Sequence, residues 1–467
     1  MNKLSQLNEQ VGRYRWTICA LVFFATTTNY LDRNVLGLLK DTLSAHGVFG
    51  PDKAGQELNY SAVVICFQIT YAIGMILAGR LIDKVGTKRG YATSLIGWSV
   101  ASIGHALATS TWSFGFWRGA LGLSEAGNFP AANKAIAEWF PKKERAYATG
   151  LYNSGANVGA IVAPLFVPFV ARAWGWEWAF VITGVIGLTW IAFWLRMYGS
   201  PAEKVKSGHL SQAEYDYIHS DRDEQAIAAA PAEPRLTWKQ LIGVRQSWAF
   251  IFGKFITDPI WWFFLFWLPA YLSGENASKV KTYLAAHPGY TGPHSAIPGV
   301  ISWEIAVALV YTVSTVGSIF GGWLPKRFIH GGMTVNRARK LAMFIFAVLP
   351  LSVLLASRLG QISTWLAVAV ISIACAAHQA WSANIFATAS DMFPKRAVAS
   401  VTGLGGMSGA VGGILIAWLA GELLAHFTAL GHIDVGYGIL FVICGSAYVV
   451  AWVIMHLFAP RFEPVKL

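Results

Sequence analysis

Long apolar runs alternate along this chain with short polar stretches, and the runs have the length of a bilayer core. A helix that spans a membrane needs roughly 20 mostly apolar residues. Twelve runs meet that requirement, at 16–38, 59–80, 90–109, 112–138, 147–170 and 176–197, then at 247–272, 302–325, 340–357, 363–388, 399–421 and 434–458. The pattern predicts an all-α membrane protein with twelve transmembrane helices in two six-helix bundles. Residues 1–197 form the N-terminal bundle, 198–246 a linker, and 247–467 the C-terminal bundle. The first run is long enough to span, so it reads as a retained helix and not as a signal peptide.

The bundles repeat one another. Glu138-Trp139-Phe140-Pro141-Lys142-Lys143, followed by Thr149-Gly150-Leu151, returns as Asp391-Met392-Phe393-Pro394-Lys395-Arg396 and Thr402-Gly403-Leu404, with a constant displacement. Each copy closes a fourth helix and opens a fifth. Pseudo-symmetric repeats of this kind place a substrate site at their interface, near the bilayer midplane. Two connections are long. The linker is rich in Ala, Pro and charge, and Ser211-Gln212-Ala213-Glu214 predicts a capping box that opens a short helix. The stretch 273–301, on the opposite side, holds His287-Pro288-Gly289 and Gly292-Pro293-His294 and reads as a turn-rich insertion.

Composition agrees and adds an orientation. Only 13% of residues are charged, about half the usual share of a soluble domain. The net charge of +12 would suit nucleic-acid binding in a soluble protein. Here the excess cations fall in short loops on the terminal side, among them Lys84, Lys88, Arg89, Lys142, Lys143, Arg145, Lys326, Arg327, Lys395 and Arg396. The opposite loops carry few, such as Lys53, Arg172 and Arg358. That bias places both termini in the cytoplasm and excludes a nucleic-acid partner. The four cysteines, Cys19, Cys66, Cys375 and Cys444, lie in apolar runs without C-x-x-C spacing, so no metal or disulfide framework is expected.

Charges inside spans are costly and therefore informative. The first helix holds Asn29-Tyr30-Leu31-Asp32-Arg33-Asn34, and the fourth holds Arg118 and Glu125. Arg118 and Glu125 are two turns apart, so they share a face about 10 Å apart along the axis. Asp32 and Arg33 are neighbours that diverge by roughly 100° and can meet different partners. A guanidinium fork suits a carboxylate, and a carboxylic acid in a poorly hydrated cavity can carry a proton near neutral pH. The cluster points to proton-coupled uptake of an anion; a purely structural ion-pair network is the competing account.

In the second half, Lys254, Thr257, Asp258, Pro259, Trp261 and Trp262 mark the seventh helix, and His378, Gln379, Trp381, Ser382 and Asn384 the tenth. Rings pack on sugar C–H faces and amides bond hydroxyls, so Trp261, His378, Gln379 and Trp381 are candidate contacts to a polyol. An interface belt competes for the tryptophans, and a satisfied interior histidine for His378. Gly155-x-x-x-Gly159 and Gly409-x-x-Gly412-Gly413 are close-crossing faces. Asn153 and Asn157 lie beside the first of these and are expected to face a cavity. Gly79-Arg80-Leu81-Ile82-Asp83-Lys84-Val85-Gly86-Thr87-Lys88-Arg89 joins the second and third helices, with Asp83 able to cap a helix or pair across the bundle. No nucleotide, metalloprotease or serine-hydrolase motif occurs, so the chain reads as a non-enzyme with no cofactor.

That loop resembles the signature of the major facilitator superfamily. Together with Asn29-Tyr30-Leu31-Asp32-Arg33, Arg118…Glu125 and Glu138-Trp139-Phe140-Pro141, it is similar to the anion:cation symporter family, most closely to bacterial hexuronate and hexonate transporters of the galacturonate, glucuronate and galactonate type. The resemblance implies a monomer of the inner membrane that moves a small sugar-acid anion with protons. It implies that Asp32 and Glu125 carry the protons, Arg33 binds the substrate carboxylate, Arg118 holds Glu125, and Tyr30 and Tyr71 line the pocket. Ala156 stands where the family often has an amide, with Asn153 or Asn157 as replacement, and Ser408-Gly409 stands where relatives show an asparagine. Two rivals remain open: a carrier of another organic anion (an aromatic acid, a dicarboxylate or a phosphate ester), or a membrane anion sensor.

Overall fold

The computed structural model describes residues 12–220, 238–393, 395–463 and 465. For a few helical positions, Asp83 among them, the described structure stops at the backbone, so the pairing expected of Asp83 lies outside the described residues. The first half holds α1 (Tyr14–Leu38), α2 (Lys40–Ala45), α3 (Lys53–Val85), α4 (Thr87–His105), α5 (Thr111–Glu125), α6 (Asn128–Trp139), α7 (Lys142–Trp174) and α8 (Trp176–Met197). The linker carries α9 (Pro201–Lys206), α10 (Gln212–Ile218) and α11 (Trp238–Ile242). The second half holds α12 (Arg245–Ala286), α13 (Trp303–His330), α14 (Val335–Val348), α15 (Ala356–Ile362), α16 (Thr364–Met392), α17 (Lys395–Ala429) and α18 (Ile433–Phe458). These make twelve passes, because α5 and α6 share the fourth and α14 and α15 the ninth.

Proline explains both breaks. Pro130 cannot donate to the Ala126 carbonyl, so the fourth pass parts after Glu125. Pro350 opens a 3-10 segment, Leu349–Leu355, between α14 and α15. Nine helical stretches among the described residues are long and apolar enough to cross a membrane. The passes that fall short are α1, α4 and the α5–α6 pair. Two of these carry the intramembrane charges, which is why their apolar signal is diluted. The insertion differs from expectation, since α12 runs on through Ala286 and the turn-rich part is confined to residues 287–301. Residues 275–286 contain no Gly or Pro to stop the helix. Asn276 then ties the loop back, donating to the Ile301 carbonyl at 2.6 Å.

The repeat shows in the packing. A Cβ on Gly159 of α7 would meet the Thr27 carbonyl oxygen at 2.4 Å and the Tyr30 Cβ at 2.9 Å on α1. One on Gly412 of α17 would meet the Phe255 oxygen at 2.3 Å and the Pro259 Cγ at 2.6 Å on α12. Gly159 and Gly412 are separated by the same displacement as Glu138 and Asp391. Thr27 and Phe255, whose carbonyl oxygens the two glycines approach, are thus counterparts, and six residues further on so are Arg33 and Trp261.

The halves meet at the end of the bundle away from the start of α1. Gly37 lies against the Leu265 and Phe266 backbone, and the Tyr60 hydroxyl donates to the Phe266 carbonyl at 2.7 Å. Arg172 pairs with Glu304 at 2.5 Å. Gly421 lies against Ser61 and Gly413 against Gln68. Toward the terminal end, Gly79, Gly150, Gly403 and Gly406 face open space. In the linker, Ser211 caps α10 through the Glu214 N–H at 3.2 Å, but Glu214 does not complete a box. Its carboxylate is buried and accepts instead from the backbone N–H groups of Tyr14 and Arg15 at the start of α1, where the helix dipole favours an anion. The reciprocal box is Ser200 with Glu203.

Candidate functional site

Arg33 is the centre of the site. Its guanidinium pairs with Glu125 (Nη2–Oε2 2.8 Å; Nε donating at 2.9 Å), and Nη2 also lies 3.3 Å from the Asn29 Oδ1 one turn away. Four ring faces surround it, with centroids 4.9 Å away at Tyr30, 5.4 Å at Phe67, 4.8 Å at Tyr71 and 5.3 Å at Trp262. Three rings come from the first half and Trp262 from the second. Arg33 and Glu125 are buried, whereas Tyr30, Tyr71 and Trp262 are half-buried. The rings therefore form the reachable surface above the ion pair. A cation among ring faces is stabilised by their quadrupoles, and one paired acid keeps the centre neutral.

The expected Arg118–Glu125 pair is replaced by Arg33–Glu125. Long side chains lean toward the N-terminus of their helix. On α5 that direction carries Arg118 away from Glu125, while antiparallel α1 brings Arg33 down onto it. Arg118 donates instead to the Arg33 carbonyl at 2.7 Å and lies over Phe67. Its other two nitrogens are buried without a partner among the described residues. Asp32 turns the other way, as the divergence of neighbours requires, and accepts from the Ser102 hydroxyl at 2.9 Å, beside Thr183. It lies between α1, α4 and α8, inside the first half and not at the interface.

The second-half candidates divide. Trp261 stacks on His378 at 5.2 Å and meets Tyr311 edge-on. His378 Nδ1 is 2.6 Å from the Tyr448 hydroxyl, and Trp381 is fully buried with its edge toward Tyr448. These rings form the interior of the second half. Trp262, the neighbour of Trp261, faces Arg33, because consecutive helix residues point about 100° apart. Gln379 and Asn157 are half-buried, and Asn153 is exposed on α7; none is drawn into the Arg33 cluster.

Sequence reasoning missed Gln68. Its side chain is 3% exposed and neither amide atom has a partner among the described residues. The signal was its place one turn before Tyr71 on the same face. A cavity of about 620 Å³ is an apolar groove between α1 and α8 lined by Phe24, Trp178 and Phe193. It lies away from every charge in the cluster, so chemistry and not volume locates the site.

Comparison with known proteins places the chain. The family model described as Major Facilitator Superfamily matches residues 22–417. A hexuronate transporter of Escherichia coli (strain K12) is 30% identical over 439 residues, covering 92% of this chain and 90% of that one. A probable galactarate/D-glucarate transporter of the same strain is also 30% identical, over 89% of this chain and 90% of its own. Among solved structures, a D-xylose-proton symporter superposes with a TM-score of 0.71 over 97% of this chain and 100% of that one; at 14% identity this speaks to fold alone. With its twelve helical passes in two related halves, the chain belongs to the major facilitator superfamily of membrane transporters.

Proposed function

We propose that this chain is a secondary active transporter that imports a sugar acid, a hexuronate or hexonate anion, by proton symport through alternating access in a bacterial inner membrane. It works as a monomer, with both termini and the 198–246 linker cytoplasmic and with residues 1–197 and 247–467 as the moving lobes. One observation carries the reading: Arg33 lies at the interface of the lobes, under rings from both, with Glu125 as its counter-ion. The names borne by its relatives, a hexuronate transporter among them, agree with that chemistry.

A guanidinium held by one carboxylate binds another only when the first is neutralised, because two anions cannot share it without repulsion. Protonation of Glu125 frees Arg33 for the substrate carboxylate, and Tyr30, Tyr71 and Trp262 pack against the sugar. Loss of that proton on the other side restores the Arg33–Glu125 pair and expels the anion. Asp32, held by Ser102, is the second proton carrier. The contacts that close the end away from the termini make this an inward-facing state in which the pair has re-formed. Substrate then acts by favouring the states in which Arg33 is free.

The test is uptake of labelled hexuronate into vesicles with an imposed pH gradient. Wild-type protein is expected to accumulate label. Glu125→Gln is expected to exchange labelled for unlabelled acid without accumulating it. Full gradient-driven accumulation by Glu125→Gln would remove this residue from coupling.

A further inference from the structure

Lys254 is a buried cation on a membrane helix, and none of the steps above uses it. Its Nζ lies 2.7 Å from Asp258 Oδ2 one turn on, with side chains 6% and 21% exposed. Beyond the ammonium lies the face of Phe386, 4.3 Å from Nζ. The fold makes room for this pair. A Cβ on Gly405 would come 3.1 Å from Lys254 Cγ, and one on Gly409 would come 2.4 Å from Asp258 Oδ2. Stability alone does not account for it, since replacing a buried ion pair with apolar side chains is often neutral or stabilising.

We propose that Lys254 is a second carboxylate-binding position, on the C-terminal lobe, and that the cleft takes a sugar acid with a carboxyl group at each end. This rests on the sugar-acid reading above. Gly409 packs on Asp258, and Gly413, one turn on, packs on Trp262 and on Gln68 of the other lobe, so the pair lies one turn from the Arg33 cluster. Asp258 is four residues from Trp262, about 6 Å along the same helix face, and the Trp262 ring covers Arg33 at 5.3 Å. With Lys254 Nζ 2.7 Å from Asp258, the two cations are separated by about two helical turns, on the order of 10 Å. A six-carbon diacid holds its end carbons roughly 6 Å apart across five C–C bonds. A charge-assisted contact of about 2.8 Å at each end spans the remainder. Asp258 is the partner that the second carboxylate replaces, as Glu125 is for the first. A hexuronate or hexonate offers Lys254 only a neutral carbon terminus. The relatives, whose names cover both monoacids and diacids, do not choose between them; the second cation does.

The test uses full-length protein in proteoliposomes. Inhibition of labelled galacturonate uptake is compared for galactonate and galactarate, which differ only at the second terminus. In wild type, galactarate is expected to inhibit at about one tenth the concentration of galactonate, the gain of one charged contact. In Lys254→Gln that ratio is expected to fall to near one, and Lys254→Arg, which keeps the charge, to restore most of it. Equal potency in wild type overturns the inference without any variant, so a Lys254→Gln protein that fails to fold leaves it testable. A ratio that survives Lys254→Gln overturns it as well. If monoacids compete and the diacid has no advantage, only this inference falls. If no sugar acid competes or enters, the sugar-acid reading falls and this inference with it.

Discussion

At matched places on paired helices, the N-terminal half carries Tyr30 and Arg33 and the C-terminal half carries Asp258 and Trp261, with Trp262 next in line. The glycines that press α7 on α1 and α17 on α12 show that the backbones correspond. The side chains do not. The first half places a guanidinium and a carboxylate at the interface; the second answers with a ring, and holds its own ion pair a turn lower, at Lys254 and Asp258. The difference teaches that the repeat sets how the helices cross, while the charged groups at the interface are divided unequally between the lobes.

The sharpest way to break this comparison is to remove, from each lobe, the side chain that meets the other. Arg33→Ala leaves Glu125 buried without its partner, a loss of about 3–5 kcal/mol. Labelled sugar-acid uptake per folded protein is expected to fall at least a hundredfold, about 2.7 kcal/mol at 1.36 kcal/mol per factor of ten. Trp262→Ala removes one of four rings and is expected to cost on the order of tenfold. Equal losses would erase the asymmetry.

The glycine pair tests the symmetric part. Gly159→Ala and Gly412→Ala each force a Cβ into backbone at 2.4 and 2.3 Å. Each is expected to destabilise by about 1–3 kcal/mol, read as similar drops in melting temperature in detergent. A drop confined to one half would show that the crossings are not equivalent.

An interior contact comes next. His378 and Tyr448 belong to the packing of the second half and not to the Arg33 surface. Tyr448→Phe forfeits a buried hydrogen bond worth about 0.5–1.5 kcal/mol. Melting temperature is expected to fall while competition by sugar acids keeps its order. A changed order would return His378 to the substrate site.

Twelve passes, the repeat and the charged residues were legible because a bilayer makes apolar length and buried charge conspicuous. What the sequence left open was direction. Arg118 and Glu125 share a face at two-turn spacing, yet the lean of side chains toward the helix N-terminus hands Glu125 to Arg33. Trp261 and Trp262 are alike in composition, and only rotation about α12 decides which meets the guanidinium. Gln68 lacks a charge, and its place one turn before Tyr71 was its only mark, although its amide, unpartnered among the described residues, lies beside the site. Pairings across the interface depend on how two bundles dock, and no local pattern encodes that.

The smallest expected effect concerns the contact that links the lobes at their closed end. Arg172 and Glu304 lie 2.5 Å apart, but the Arg172 side chain is 66% exposed. An exposed pair contributes about 0–1 kcal/mol, and salt screens it. Because it joins one lobe to the other only where they touch, its energy goes into the docking of the lobes and not into either fold. Arg172→Gln is therefore expected to leave the melting temperature within about 2 °C and to change uptake by less than about fivefold. The two proteins should differ at low salt and converge at high salt. A difference that persists at high salt would mean that Arg172 acts by packing its stem against Trp303 and Pro168, which line the small cavity beside it, and the lobes would then be joined at that end by apolar contact and not by charge.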